Sequence, residues 1–140
     1  MGTVRARRKI LIVDDEEHIV LYLTTLLEDH GYDVVSSMDP LEAFRLAKTE
    51  RPDLICLDIM MPKKSGLSLY REFRSDAGLK SIPVVVISGI GNIAYGFKAD
   101  FRKHVPDPEI PEPEAIFEKP LKAAKFVEFL DRALGRGEGA

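Results

Sequence analysis

The sequence predicts an α/β protein with a doubly wound, five-stranded parallel sheet. Five short apolar runs alternate with segments whose apolar residues recur at helical spacing. This alternation favours a parallel sheet with helices on both faces. With 140 residues, of which 45% are apolar and 31% charged, the chain has the size and composition of one soluble globular domain.

The strand predictions come from apolar runs of strand length. The runs at 9–13, 53–58 and 83–88 are almost wholly apolar, as expected of central strands that helices cover on both faces. The run at 32–38 is more polar, which favours an edge position, and a short fifth strand is predicted at 115–118.

The helix predictions combine periodicity with start and stop signals. The first helix has acids at its positive end and Gly31 after its last residue. Asp39 and Pro40 are a typical N-cap and first residue for the second helix, and Gly96 weakens the fourth. The predicted helices cover residues 16–30, 39–50, 66–76, 92–105 and 121–134.

Composition argues against several classes of protein. The net charge of −3 gives no overall attraction for nucleic acid, and the basic cluster at 5–9 is interpreted as a solvated arm. No apolar run reaches the roughly 18 residues of a membrane helix, and the N-terminus does not read as a signal peptide, so a cytoplasmic protein is predicted.

The single cysteine, Cys56, is expected to be a buried, inert thiol. The dispersed His18, His30 and His104 are expected on the surface.

Five polar side chains stand at the carboxyl ends of predicted strands. The first strand ends in Asp14 and Asp15, the third in Asp58, the fourth in Ser88 and the fifth in Lys119. Each alone has an ordinary explanation as a helix cap, a turn residue, a strand-end hydroxyl or a solvated lysine. Because ligands bind at this edge of open parallel sheets, and the fold would bring the five together, a functional site is the stronger interpretation.

The residue types at this edge indicate magnesium-dependent phosphoryl chemistry. Three clustered carboxylates repel one another unless a cation lies among them, and oxygen ligands without a nearby His or second Cys favour Mg²⁺. A carboxylate can attack a phosphoryl group to give an acyl phosphate. Mg²⁺, a lysine and a hydroxyl can each bind one oxygen of the transferred group. Asp58 is the predicted nucleophile.

These stretches resemble the receiver domain of two-component response regulators, the CheY-like superfamily. The matching segments are ILIVDDE, PDLICLDIMMPKKSG, PVVVIS and EKP, and their order agrees from about residue 9 to 134. The resemblance implies a flavodoxin-like sheet of strand order 2-1-3-4-5. It implies a receiver domain at 9–134, between a basic arm at 1–8 and a flexible tail at 135–140.

The resemblance also implies the roles of the site residues. Asp58 is the expected phosphoacceptor and a ligand of Mg²⁺. Asp15 is expected to bind the ion directly, Asp14 mainly through water, and Met60 through its carbonyl oxygen.

Two further residues are expected to contact the phosphoryl group. Ser88 would reorient toward it, and Lys119 would pair with one of its oxygens.

The phosphoryl donor would be a sensor histidine kinase or a phosphotransfer protein. No effector domain is expected after the last helix, so output would pass through an unknown protein partner. Direct binding to nucleic acid or to a membrane is not expected. The protein would be a monomer or a phosphorylation-dependent dimer. The chain would act alone or as a fragment of a larger protein.

Two segments depart from the family pattern. Ile116 stands where the family usually has an aromatic residue three positions before the lysine, and Phe117 is expected on the other face of the sheet. The usual coupling of hydroxyl movement to an aromatic flip is therefore in question. The proline-rich segment at 105–114 makes the connection before the fifth strand longer than usual. It is interpreted as a stiff, extended loop with solvated charges, or alternatively as an altered partner surface.

Two positions that tune dephosphorylation in the family, two residues after the acceptor and two after the hydroxyl, are Met60 and Ile90. Neither side chain can position a water molecule by a strong hydrogen bond, so slow autodephosphorylation is predicted.

Two other functions remain open from the sequence. A degenerate receiver that binds a partner without phosphorylation would fit Ile116 and the long loop, although the intact acidic set argues against it. A haloacid dehalogenase-type phosphatase also uses Mg²⁺, Asp and Lys. It needs its nucleophile at the end of the first strand and a second Asp two residues on, where this chain has Glu16. We therefore predict a phosphoacceptor and not an enzyme.

Overall fold

The computed structural model describes residues 7–59, 66–88, 102 and 105–135. Each described strand lies within one residue of its predicted bounds, whereas the helix predicted at 92–105 falls almost wholly outside the described residues. The elements are β1 (Lys9–Val13), α1 (Glu17–Asp29), β2 (Asp33–Ser37), α2 (Pro40–Glu50), β3 (Leu54–Asp58), α3 (Gly66–Ser75), β4 (Val84–Ser88), β5 (Ala115–Glu118) and the C-terminal helix α4 (Ala123–Ala133).

All five strands pair in parallel in one sheet of order β2-β1-β3-β4-β5, which confirms the predicted doubly wound fold. The more polar β2 lies at an edge, as its composition predicted. No helix within the described ranges is both long and apolar enough to cross a membrane.

The core consists of two apolar layers, one on each face of the sheet. Successive strand residues alternate between the layers, so Leu11 and Ile55 face α2 and α3, while Ile12 faces α1 and α4. The same alternation places Ile116 in the first layer and Phe117 in the second, on opposite faces as predicted. The Phe117 ring packs edge-on against two aromatic rings of α4, with ring centroids 5.2 and 5.6 Å away.

The N-cap signal of α2 is confirmed at atomic level. The Asp39 carboxylate accepts a hydrogen bond of 2.9 Å from the backbone N–H of Leu41, and Pro40 is the first helical residue. His18 and His30 are exposed as predicted, and His104 lies outside the described residues.

The described part of the basic N-terminal segment lies against the amino ends of the strands. Arg7 forms an ion pair of 3.4 Å with Asp33, and Arg8 forms one of 3.6 Å with Asp53. All four side chains are more than a third exposed, so each pair contributes little to stability.

The proline-rich segment is anchored in the core by two of its residues. Val105 and Ile110 are 0% and 6% exposed and belong to the apolar layer that contains α3. The chain turns between them, because the N–H of Ile110 donates to the carbonyl oxygen of Asp107 at 3.1 Å. The segment is therefore folded back and not fully extended, although its four acids, at 107, 109, 112 and 114, are solvent-exposed as expected.

Two polar side chains also hold the same segment through three hydrogen bonds. The Tyr70 hydroxyl of α3 donates to the carbonyl oxygen of Pro111. The Arg102 guanidinium donates to two carbonyl oxygens of the segment at 2.9 and 2.8 Å. Burial is the main cause that raises the pKa of Tyr70 to about 12, so this hydroxyl stays a donor at neutral pH.

We expect Ile110→Ala to lower the free energy of unfolding by about 2–4 kcal/mol, because it removes buried methyl groups and leaves a cavity. The matched control is Glu109→Ala next to it, whose exposed side chain should contribute less than about 0.5 kcal/mol. Urea titrations of the two variants measure the difference. Equal effects would mean that the segment does not pack on the core.

Cys56 should behave as an inert thiol below strongly alkaline pH. Its side chain is buried, and burial raises its pKa from 9.0 to about 12. A disulfide reagent at pH 8 should therefore label native protein only through unfolding, and should label one thiol rapidly in urea. Because only the unfolded thiol ionises between these two pKa values, stability should fall as the pH rises above 9. Rapid labelling of native protein would contradict this assignment.

Candidate functional site

The carboxyl ends of the strands bring the predicted site residues to one edge of the sheet. Val13 is level with Leu57 in the β1–β3 pairing, so Asp14 lies beside Asp58. Ser88 is the last residue of β4 and is level with Glu118, the residue before Lys119. The described strands thus bring these backbone positions to one edge of the sheet, where the sequence predicted them.

Four carboxylates form a tight cluster at this edge. Asp14, Asp15, Glu16 and Asp58 each offer an oxygen, and these oxygens all lie within 4.8 Å of one another. Asp14 and Asp58 are 1% and 2% exposed, Asp15 is half-buried and Glu16 is exposed. Charges this close and this buried raise the electrostatic energy steeply unless cations compensate them.

The Lys119 ammonium contacts three of the four carboxylates. Its Nζ lies 2.8 Å from Glu16 Oε1, 2.9 Å from Asp14 Oδ2 and 3.5 Å from Asp58 Oδ2. Burial alone would lower the pKa of Lys119, but the carboxylates of Asp14 and Glu16 outweigh burial and raise it above its ordinary value. The lysine is therefore charged at neutral pH, and among the described residues one ammonium faces this cluster of four carboxylates.

Asp14 is not the cap of α1, which was its ordinary structural explanation. Its Oδ1 accepts a hydrogen bond of 2.9 Å from the N–H of Glu16, and Glu16 itself is the N-cap residue. Its Oδ2 is buried, and among the described atoms no donor completes a hydrogen bond of normal geometry to it, although the Lys119 Nζ lies near. An acidic oxygen in this position suits a small divalent cation, and the oxygen-only donor set fits Mg²⁺.

Glu16 is the site residue that sequence reasoning missed. In the sequence, Glu16 stood out only as the residue at the position where a haloacid dehalogenase-type phosphatase needs its second Asp. Its carboxylate accepts a hydrogen bond from Lys119, and this bond is the main cause that lowers the pKa of Glu16. The signal in the sequence was its place directly after two acids at a strand end, but the direction of its side chain depends on a residue 103 positions away.

Three of the predicted contributions come from outside the part of the chain that the structure describes. Met60 and Ile90 lie outside the described residues, and so does the side chain of Ser88.

Comparisons with known proteins agree with this geometry. The family model of the response regulator receiver domain matches residues 10–102. Over 130 residues the chain is 32% identical to the polar-differentiation response regulator DivK of Brucella anthropi, covering 91% of this chain and 97% of DivK. A solved sensor protein from Polaromonas sp. JS666 superimposes with a TM-score of 0.80 at 25% identity, covering 93% of this chain and 98% of that one.

A second relative is matched only in part. Over 67 residues the chain is 51% identical to the alkaline phosphatase synthesis transcriptional regulatory protein PhoP of Bacillus subtilis. This stretch is 48% of the chain and 28% of PhoP, so the chain corresponds to a part of that regulator.

Gly66 allows α3 to begin directly against the strand that carries Asp58. Its N–H donates to the carbonyl oxygen of Ile59 at 3.2 Å. A Cβ atom at this position would lie 2.5 Å from the carbonyl oxygen of Asp58 and closer still to the Cα of Ile59. Only glycine permits this approach without a backbone shift.

We expect Gly66→Ala to lower the free energy of unfolding by about 1–3 kcal/mol, because backbone atoms next to Asp58 must move apart. Gly78→Ala is the control, since its added methyl would meet the ends of two side chains and not backbone, with Asp76 Oδ2 at 3.3 Å and Lys48 Nζ at 3.6 Å. It should change stability by less than about 0.5 kcal/mol. Urea titration compares the two, and a Gly66→Ala protein as stable as the control would contradict the close approach.

Proposed function

The chain belongs to the response regulator receiver domain family, and from that premise we propose that it accepts a phosphoryl group on Asp58 in two-component signalling. The donor would be a sensor histidine kinase or a phosphotransfer protein. The observation that carries the proposal is the buried Asp58 carboxylate, which lies within 4.8 Å of three other acids and 3.5 Å from the Lys119 ammonium.

The proposed reaction transfers one phosphoryl group between side chains. A carboxylate oxygen of Asp58 attacks the phosphorus of a phosphohistidine, and the phosphorus–nitrogen bond breaks as the phosphorus–oxygen bond forms. The imidazole leaves with its electron pair, takes up a proton from solvent, and an acyl phosphate remains on Asp58. Lys119 would pair with one oxygen of the transferred group, and the Ser88 hydroxyl would donate to another.

The acidic cluster supports a magnesium requirement. Mg²⁺ bound here would neutralise charge on the transferred group and on the carboxylates. Asp15 and Asp58 would bind the ion through carboxylate oxygens, Met60 through its carbonyl oxygen, and Asp14 mainly through water. Mg²⁺ usually retains several waters when it is bound by a few carboxylates, so this set is sufficient.

Output would occur through a protein partner and not through turnover of a substrate. We assign the receiver domain to residues 9–134 of a cytoplasmic protein, with the acyl phosphate shifting a two-state equilibrium near β4 and β5. The segment at 105–114 is the first surface to consider for the partner, because core residues anchor it while its acids stay exposed. Slow loss of its own phosphoryl group is the only turnover proposed.

A second candidate is a receiver that binds its partner without phosphorylation. The observation that favours it is Ile116, which packs in the α3 layer where the family usually has an aromatic residue. The complete set of acids and the charged Lys119 favour the phosphoacceptor.

Incubation with acetyl phosphate and Mg²⁺, followed by intact mass measurement, tests the proposal. We expect one phosphoryl adduct on the wild type, none without Mg²⁺ and none on Asp58→Asn, because the acceptor carboxylate is then absent. The control variant is Asp29→Asn, which removes an exposed acid at the end of α1 and should be labelled like the wild type. No adduct on the wild type, under conditions that label another receiver, would favour the phosphorylation-independent function. An adduct on Asp58→Asn would assign the acceptor elsewhere.

A further inference from the structure

The Lys119 ammonium is held more closely by Glu16 than by the proposed acceptor. Of its three carboxylate contacts, the one to Glu16 is the shortest, at 2.8 Å, and has hydrogen-bond geometry, while the one to Asp14 Oδ2 is 2.9 Å. The contact to Asp58 Oδ2 is 3.5 Å, which is longer than the roughly 2.8 Å of a charge-assisted hydrogen bond. The ammonium therefore lies nearer to Glu16 and Asp14 than to Asp58.

Helix capping does not explain the position of the Glu16 side chain. Glu16 is the N-cap residue of α1, and within the described part of the chain its side chain makes no capping hydrogen bond. The backbone carbonyl of Glu16 accepts the first helical hydrogen bonds, from Ile19 and Val20, while the carboxylate extends toward β5. The Glu16 side chain is 45% exposed, so core packing does not fix it either.

We propose that Glu16 is a positioning residue that holds Lys119 away from Asp58 in the unmodified protein. The inference rests on the proposed phosphoacceptor function. A lysine within hydrogen-bond distance of Asp58 would neutralise the nucleophile and repel a divalent cation from it. By attracting the ammonium to its own side of the cluster, Glu16 would weaken the competition between Lys119 and the magnesium ion for the Asp58 carboxylate.

The effect of Glu16 on magnesium binding should depend on Lys119. Glu16→Gln keeps the shape and one acceptor oxygen but removes the charge that attracts the ammonium. Lys119 should then move toward Asp58, and Mg²⁺ has to displace it. In a Lys119→Met background there is no ammonium to move, so Glu16→Gln should remove only the direct attraction of its own carboxylate for the ion.

A double-mutant cycle with calorimetric Mg²⁺ titrations tests this dependence. We expect Glu16→Gln to weaken Mg²⁺ binding about tenfold in the wild type but less than about threefold in the Lys119→Met background, a coupling typical of side chains in contact. Glu17→Gln, the same charge change one residue on at an exposed position, should alter the affinity less than about twofold because solvent screens it. Urea midpoints of all variants show that each is folded.

A second measurement reports on the ammonium itself in metal-free protein. The Nζ signal of Lys119 in ¹⁵N-lysine spectra is assigned by its absence from Lys119→Met. We expect a slowly exchanging signal in the wild type and in Glu17→Gln, because the ammonium side chain is only 10% exposed and hydrogen-bonded. Glu16→Gln should shift this signal and speed its exchange.

The outcomes separate this inference from the proposed function. Equal losses of Mg²⁺ affinity in both backgrounds, or an unchanged Lys119 signal in Glu16→Gln, would overturn the positioning role and make Glu16 a ligand or a distant charge. If the double-mutant cycle shows coupling but acetyl phosphate does not label the wild type, the phosphoacceptor function is overturned and the positioning of Lys119 by Glu16 stands. A wild type that binds no Mg²⁺ would overturn both.

Discussion

The charge balance around Lys119 is the constraint on which the site depends. Two nearly buried carboxylates, Asp14 and Asp58, lie within 4.8 Å of Asp15 and Glu16, and one ammonium reaches three of these four acids. That ammonium comes from the end of β5, at the far edge of the sheet from β2. The parallel order β1-β3-β4-β5 is what makes the contact possible, because it carries the carboxyl ends of all these strands to one edge.

Such a cluster lowers stability, so the rest of the molecule has to offset it. Buried charges with incomplete compensation cost more than they contribute. The offset comes from the two apolar layers, in which β1, β3 and β4 bury almost every side chain, and from the close contact of Gly66 with the strand below it. A divalent cation would remove part of the repulsion and stabilise the folded state by mass action.

The sequence predicts those features that local signals determine. Apolar runs give the strands, Asp39 and Pro40 give a helix start, and position at a strand end gives Asp14, Asp58 and Lys119. Glu16 was missed because its side chain does not cap the helix, although it stands at the N-cap position. It accepts a hydrogen bond from Lys119 instead, and local sequence cannot predict a contact with so distant a residue. The packing of 105–114 was missed because prolines and acids dominate its composition. Two apolar residues among them, Val105 and Ile110, decide the outcome through tertiary contacts.

The chain has Ile116 where the family usually has an aromatic residue, but a hydrogen bond from Tyr70 connects α3 to the segment before β5. α3 begins at Gly66 against the carbonyl of Asp58, and one turn later Tyr70 donates to Pro111, just before β5. A backbone shift at Asp58 would therefore meet α3 at Gly66, and α3 contacts the segment before β5 through Tyr70. Close-packed interiors transmit such shifts, and contiguity is the physical condition for coupling between sites. The Tyr70 contact thus offers a connection between Asp58 and the segment before β5 that does not require an aromatic residue at position 116.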